Sequence, residues 1–438
     1  MKKIITTMLF LITAIISAQD KAVVEWLNTN AIPIEDATQT TPLTAFAANT
    51  PRKFKDARIF GFGEATHHGK EFFDLKAKFF KYLVEHQGVK VFILESGYPN
   101  CREINQWLKE GTKTSREMAR QLGFALWMCE EITDLLQWMK DYNTGKPVSE
   151  RILFYGMDDQ FCYGIDKQVR KFVTQYKLNI PQTQLMAADS SSALYYSRKT
   201  PDAEWLKDKA EGLAALRISL QKESASFTEN DRKEADETIH AVDVLSQFIL
   251  FTAKPGIALR DEHMYQNVLW IMQQQGKNSK AFIWAHNGHV NKNDLAGFNV
   301  QSVGSRLKQH YGDAYYSMGF DFSKGRLYTT TIDNAKNAKA SAYMLDKTTK
   351  DTYAYTFTEA KHNVFFIDMA TAITNPVMNK FLNSNKKQYH AGSGGYSAKH
   401  PTAKKFKYPE DYDGVIFVKN ISVPHYIKEA MPAVYYVE

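Results

Sequence analysis

Cysteine is scarce in this chain of 438 residues: Cys101, Cys129 and Cys162 are the three, and none stands in a CxxC pair. A disulfide framework is therefore excluded; at most one pair forms and one thiol is left over. They read as core residues, with a nucleophilic cysteine as the lesser alternative. Basic runs interleaved with aromatics are missing too. Lys and Arg (55) outnumber Asp and Glu (48), yet the lysines are scattered, so nothing here tracks a phosphate backbone and nucleic acid is a poor partner. There is no GxSxG elbow, no Walker loop, no GxGxxG fingerprint and no HEXXH. A hydrolase built on this chain would use water as its attacker in preference to serine. GSGGY (392–396) is Gly-rich but follows no apolar strand, and reads as a flexible loop.

The apolar stretch Ile4–Ile16 is too short to span a bilayer comfortably. It follows Lys2 and Lys3 and precedes the small residues Ser17 and Ala18, the layout of a secretory signal peptide over 1–18. The mature protein is expected to be periplasmic or secreted, with no membrane segment. No Cys follows the stretch to carry a lipid. An uncleaved anchor or a buried N-terminal helix is the alternative.

What is present is a well-filled interior: 44% apolar and 13% aromatic residues with 24% charged. DARIFGFGE (56–64), VKVFILESG (89–97), RILFYGMD (151–158) and KAFIWAHNGH (280–289) read as buried strands. KEFFDLKAKFFKYLVEH (70–86) reads as a helix with Phe72, Leu75, Phe79 and Leu83 inward and lysines on the other face. Strands separated by helices suggest parallel β-α-β units, so the expected fold is α/β, a mainly parallel central sheet flanked by helices. One domain is expected over 20–438, with a charged helical insertion at about 166–252 laid over the strand ends. Strand-like runs return after 312: AYYSMGFDF, RLYTTTI, NVFFIDM and DGVIFVKNI. The four early strands end in Glu64, Glu95, Asp158 and His286. In open parallel sheets ligands gather at the carboxyl ends of strands.

Four constellations follow. In GEATHH, Glu64 and His67 stand three apart on a strand-end turn; a carboxylate beside His holds one tautomer and makes a general base near neutral pH. A helix-capping His with Glu71 in the first turn is the competing explanation. Glu95 closes a buried strand, which is costly unless the carboxylate is paired or lies in a polar cleft. WAHNGHV carries His286 and His289 around an Asn-Gly turn, for substrate or metal. A mixed metal site from Glu64, His67, Glu95 and His286 stays open. Arg260, opening the probable helix IALRDEHMYQNVLWIMQQQ, can clamp a carboxylate or an oxyanion, or pair with Asp261 on the surface.

GEATHxxxEF, a strand ending in Glu, RDxxMxxN and WAHNxH, in this order over 61 to 289, resemble the erythromycin esterase family. The resemblance implies hydrolysis of the macrolactone ester of 14-membered macrolides by His-activated water, giving antibiotic resistance through drug inactivation. It implies no cofactor and no metal, with the macrolide and water as partners. His67 would be the base, tuned by Glu64, with Glu95, His286, His289 and Arg260 at the reacting centre. Lys76, Glu71 and His68 would contact substrate. His68 stands where many relatives carry Gly. Two other classes remain in view: a metal-assisted hydrolase of another ester or phosphoester, and an exported binding protein for haem or a glycan.

Overall fold

The structure is a computed structural model that describes residues 20–197, 199–295, 299–331, 339–389 and 403–427. The leader expected at 1–18 and the GSGGY stretch at 392–396 lie outside these residues. In chain order the strands are β1 (Ile32–Pro33), β2 (Ile59–Phe62), β3 (Val91–Gly97), β4 (Leu153–Asp158), β5 (Ala281–Trp284), β6 (Tyr315–Thr331), β7 (Lys339–Leu345), β8 (Val364–Asp368), β9 (Lys387–Tyr389), β10 (Ala403–Lys405) and β11 (Gly414–Ile421). By packing, the chain divides into two compact units. One comprises Met1–Lys90, Met128–Trp138 and Ser279–Glu438; the other comprises Val91–Trp127 and Met139–Asn278.

In the first unit the strands run in the order β1-β8-β11-β6-β2-β5, with β7 added to β6. The pairs β11/β6, β6/β2 and β2/β5 are parallel; β8/β11, β1/β8 and β6/β7 are antiparallel. AYYSMGFDF and RLYTTTI, separate runs in the sequence, are one continuous strand, β6. β2 and β5 are buried along their whole length, as strands covered on both faces must be. Phe62 pairs with Trp284, so Glu64 and His286, two residues further on, leave the sheet side by side.

The Lys70–Gln87 helix buries Phe72, Leu75, Phe79 and Leu83, and ends on Gly88 at φ 69°, the left-handed cap that favours glycine. Its lysines depart from the expected solvent face. Lys76 is fully buried and Lys78 is 3% exposed. Each side chain stays inside because a carboxylate meets it: Glu64 for Lys76 and Asp36 for Lys78. Periodicity of apolar residues cannot register such pairs.

In the second unit β3 and β4 are parallel, with a bulge between Leu94 and Gly97. Bulges re-aim side chains, and this one holds Glu95. The stretch 166–252 is helical as expected: Ile165–Gln175, Gln182–Ser197, Ala203–Glu223 and Glu229–Ala253 share an apolar core of Val169, Phe172, Leu216, Leu220, Val242 and Leu245. The Ile257–Gln275 helix buries Met264, Val268 and Ile271.

One core member of this unit is polar. His240 stacks on Trp270 with centroids 3.8 Å apart, and its Nε2 is buried with no hydrogen-bond partner among the described residues. Burial pushes the imidazole down to about 3 from an ordinary 6.5. The folded state thus refuses a proton that the unfolded chain accepts. Its stabilising effect is complete above pH 6.5 and is lost as pH falls from 6.5 towards 3. His240→Phe keeps the stack and removes the titration. Urea unfolding at pH 7 and pH 5 is expected to show the variant losing on the order of 2 kcal/mol less than the parent.

Candidate active site

Glu64 is the centre of the first unit's cluster. It is fully buried, and its carboxylate meets three groups. Oε1 accepts from His67 Nδ1 at 2.6 Å; Oε2 accepts from the Lys76 ammonium and from Trp284 Nε1 at 3.2 Å. The Lys76 ammonium also lies 4.3 Å from the centre of the Trp284 ring. A buried carboxylate is tolerable only when paired and hydrogen-bonded, and here it is both. Lys76 is fully buried with its charge spent on Glu64, so it acts from beneath the cluster and offers no surface to a substrate.

An ionised carboxylate only accepts hydrogen bonds. Against such a carboxylate a neutral His67 carries its proton on Nδ1, and Nε2 then presents a lone pair. The ring of His286 stands 4.9 Å from that of His67, inclined by 55°. His286 caps the short Asn287–Val290 helix, its Nδ1 accepting from the Gly288 N–H at 3.2 Å. A neutral His286 therefore keeps its proton on Nε2, as a donor. The two rings are complementary: one positions an acceptor, the other a donor.

Backbone ties hold the two turns together. The Asn287 N–H donates to the Glu64 carbonyl at 2.9 Å. The Asn287 side chain bonds both the N–H and the C=O of Phe320 on β6, at 3.0 and 2.7 Å. Gly63 leaves room for this: a Cβ there would lie 2.9 Å from Asn287 Cα. His289 is buried three residues after His286 on the same short helix.

The remaining sequence candidates of this unit turn elsewhere. Glu71 accepts from the Ser422 N–H at 2.6 Å and from its hydroxyl at 2.7 Å, which makes it an anchor for the C-terminal segment. His68 Nδ1 bonds the Tyr426 hydroxyl. Burial, with the nearby His67 charge, pushes the His68 imidazole down to about 3, too weak a base for proton abstraction near neutrality.

In the second unit Glu95 and Arg260 meet. Arg260 Nη2 donates to Glu95 Oε1 at 2.8 Å and to Asp158 Oδ2 at 2.7 Å, and Nε reaches Asp158 Oδ1 at 3.2 Å. Arg260 thus clamps two carboxylates in a buried fork. Burial disfavours the Arg260 charge, but the Asp158 and Glu95 carboxylates outweigh it and hold the guanidinium well above its ordinary value. One turn along, His263 Nδ1 lies 2.5 Å from Asp159 Oδ2. Burial raises the Asp159 carboxyl, with His263 opposing.

Trp284, Asp159, His263 and Tyr426 escaped the sequence reading. The DD of GMDD and the His three residues after Arg260 were signals for the second pair; Trp284 and Tyr426 had none. The three cysteines are buried free thiols, and burial raises the pKa of each, which removes the nucleophilic alternative. Among the described residues no three His, Cys, Asp or Glu side chains form a metal-binding group, and no helix is long and apolar enough to cross a membrane.

A family model described as erythromycin esterase matches residues 84–421. Erythromycin esterase type II of Escherichia coli is 26% identical over 300 residues, which covers 62% of this chain and 70% of that protein. A Bacillus cereus crystal structure superposes with a TM-score of 0.82 at 22% identity, covering 93% of this chain and 99% of its own. An erythromycin esterase mutant in its open conformation superposes with a TM-score of 0.65 at 16% identity, covering 88% and 96%. The block carrying Glu64 and His67 precedes the matched span.

Proposed function

The chain belongs to the erythromycin esterase family, and on that premise we propose that it hydrolyses the macrolactone ester of 14-membered macrolides, with His67 as general base. The observation that carries this reading is the 2.6 Å bond from His67 Nδ1 to the buried Glu64 carboxylate, itself charge-balanced by Lys76. That arrangement fixes one tautomer and leaves Nε2 as the acceptor, the geometry a water-activating imidazole needs.

The steps follow from the two rings. His67 Nε2 takes a proton from water as the water oxygen bonds to the lactone carbonyl carbon. The carbonyl π electrons move to oxygen, and the Nε2–H of His286 is the donor suited to that oxyanion. Collapse of the tetrahedral intermediate breaks the ring C–O bond. The departing alkoxide takes the proton from the His67 imidazolium, and an open hydroxy acid remains. Glu64 stays ionised and steadies the imidazolium; Lys76 and Trp284 keep Glu64 in place. We also propose export by the 1–18 leader, so that the drug is intercepted outside the cytoplasm.

Purified protein incubated with erythromycin is expected to yield one product heavier by the mass of a water, by mass spectrometry. Unchanged erythromycin, alongside turnover of a simpler ester by the same sample, would overturn the macrolide assignment.

A further inference from the structure

The segment 422–427, which follows β11, crosses back over the start of the Lys70–Gln87 helix. It is tied down at Ser422, His425, Tyr426 and Ile427. The Ser422 carbonyl accepts from the Lys70 N–H at 2.8 Å, and Ser422 itself is held by both Glu71 oxygens. The His425 N–H donates to Glu131 at 3.1 Å, its ring nitrogen lies 2.8 Å from the same carboxylate, and its carbonyl accepts from the Glu130 N–H at 2.9 Å. Ile427 donates to the Met128 carbonyl at 2.8 Å, and Tyr426 bridges Cys129 in antiparallel fashion. Glu131 is 4% exposed, so one of the anchors is a buried carboxylate that the proposed chemistry does not use.

The strap carries one group towards the His67 turn, the Tyr426 hydroxyl on His68 Nδ1. We propose that Tyr426 is a positioning residue for the reaction: the strap fixes its hydroxyl, the hydroxyl fixes His68, and the turn thereby presents His67 to Glu64. The inference rests on the esterase reading of His67. The turn is gripped on both sides, by the Glu64–His67 bond and by the His68–Tyr426 bond, with the His68 N–H also on Thr66 Oγ1 at 3.3 Å. Burial disfavours the charged form of His68, so the bond to Tyr426 does not call for an imidazolium. The second imidazole of GEATHH is then a lever on the first and not a rival base.

A misplacement of about 1 Å at a reacting group can cost roughly 10²-fold in rate, so loosening one of two grips is expected to cost about tenfold. Tyr426→Phe keeps the ring and removes the hydroxyl. The assay is turnover of erythromycin, or of 4-nitrophenyl acetate where erythromycin is inert, together with long-range ¹H–¹⁵N spectra of the histidine rings. The His67 signals are assigned by their loss in His67→Asn. Expected for Tyr426→Phe are a kcat about tenfold lower with KM within about twofold, and broadened or shifted His67 ring signals. His68→Asn, whose amide still reaches the hydroxyl, keeps most of kcat; His68→Ala matches Tyr426→Phe, and the double variant is no worse than either. Wild-type kcat and an unaltered His67 spectrum in Tyr426→Phe would overturn the proposal. A parent without ester turnover counts against the esterase reading alone, because the ring spectrum reports the positioning without substrate.

Discussion

His67→Ala is expected to lower kcat for erythromycin by ~10²–10⁴-fold, the usual cost of removing a general base. The effect should fall on turnover and not on folding. His67 is 8% exposed and its removal strands no charge, since Glu64 keeps the Lys76 ammonium and the Trp284 N–H. The thermal midpoint should therefore shift by only a few degrees, as for the loss of one hydrogen bond. His68→Ala provides the contrast. It removes an imidazole of similar size one residue away, and its cost is expected to be about tenfold because it acts through the turn. Steady-state kinetics of the two variants side by side decide which imidazole carries the proton. Equal losses, or a larger loss for His68→Ala, would reverse the assignment.

The largest effect on stability is expected at Arg260. Arg260→Leu leaves Asp158, fully buried, and Glu95, 5% exposed, without their cation. Breaking a buried pair from one side costs about 3–5 kcal/mol, because the remaining charge is left buried without its counter-ion. Here two carboxylates share one guanidinium, so the upper end applies. The pH dependence gives a second signature. Without Arg260 the two carboxyls favour protonation in the folded state more than in the unfolded chain. The variant's deficit should then shrink as pH falls and carboxyls protonate. Combining Arg260→Leu with Glu95→Gln and Asp158→Asn should recover much of the loss at pH 7. Urea unfolding at pH 7 and pH 5 measures all of this; a deficit under about 1 kcal/mol at pH 7 would mean the fork behaves as an exposed pair.

The strand-end carboxylates and imidazoles were legible in the sequence because a titratable group straight after an apolar run is expensive unless it is used or paired. Glu64, His67 and His286 were found that way, and the structure brings them together. Their supports were less visible. Lys76 sits at a helical position that hydrophobic spacing assigns to solvent, and only the fold reveals the carboxylate beneath it. Trp284 reads as one more apolar residue of a buried strand until its indole N–H is seen on Glu64. Tyr426 stands 358 residues from His68, and no local pattern links the two. Strand and helix periods are local signals, whereas the division into two units depends on which segments pack together after the chain leaves one unit and returns. Glu71 shows another kind of role that motif position does not reveal: its oxygens hold the Ser422 turn.

The reaction proposed is direct attack by a water that His67 deprotonates. It is tested by one turnover of erythromycin on excess protein in ¹⁸O-labelled water, quenched at partial conversion, with product and intact protein weighed by mass spectrometry. The expected result is one ¹⁸O in the new carboxylate and a protein of unchanged mass at every time point. A protein population heavier by the mass of one erythromycin would overturn it, since the chain would then have used a side chain and not water as its nucleophile.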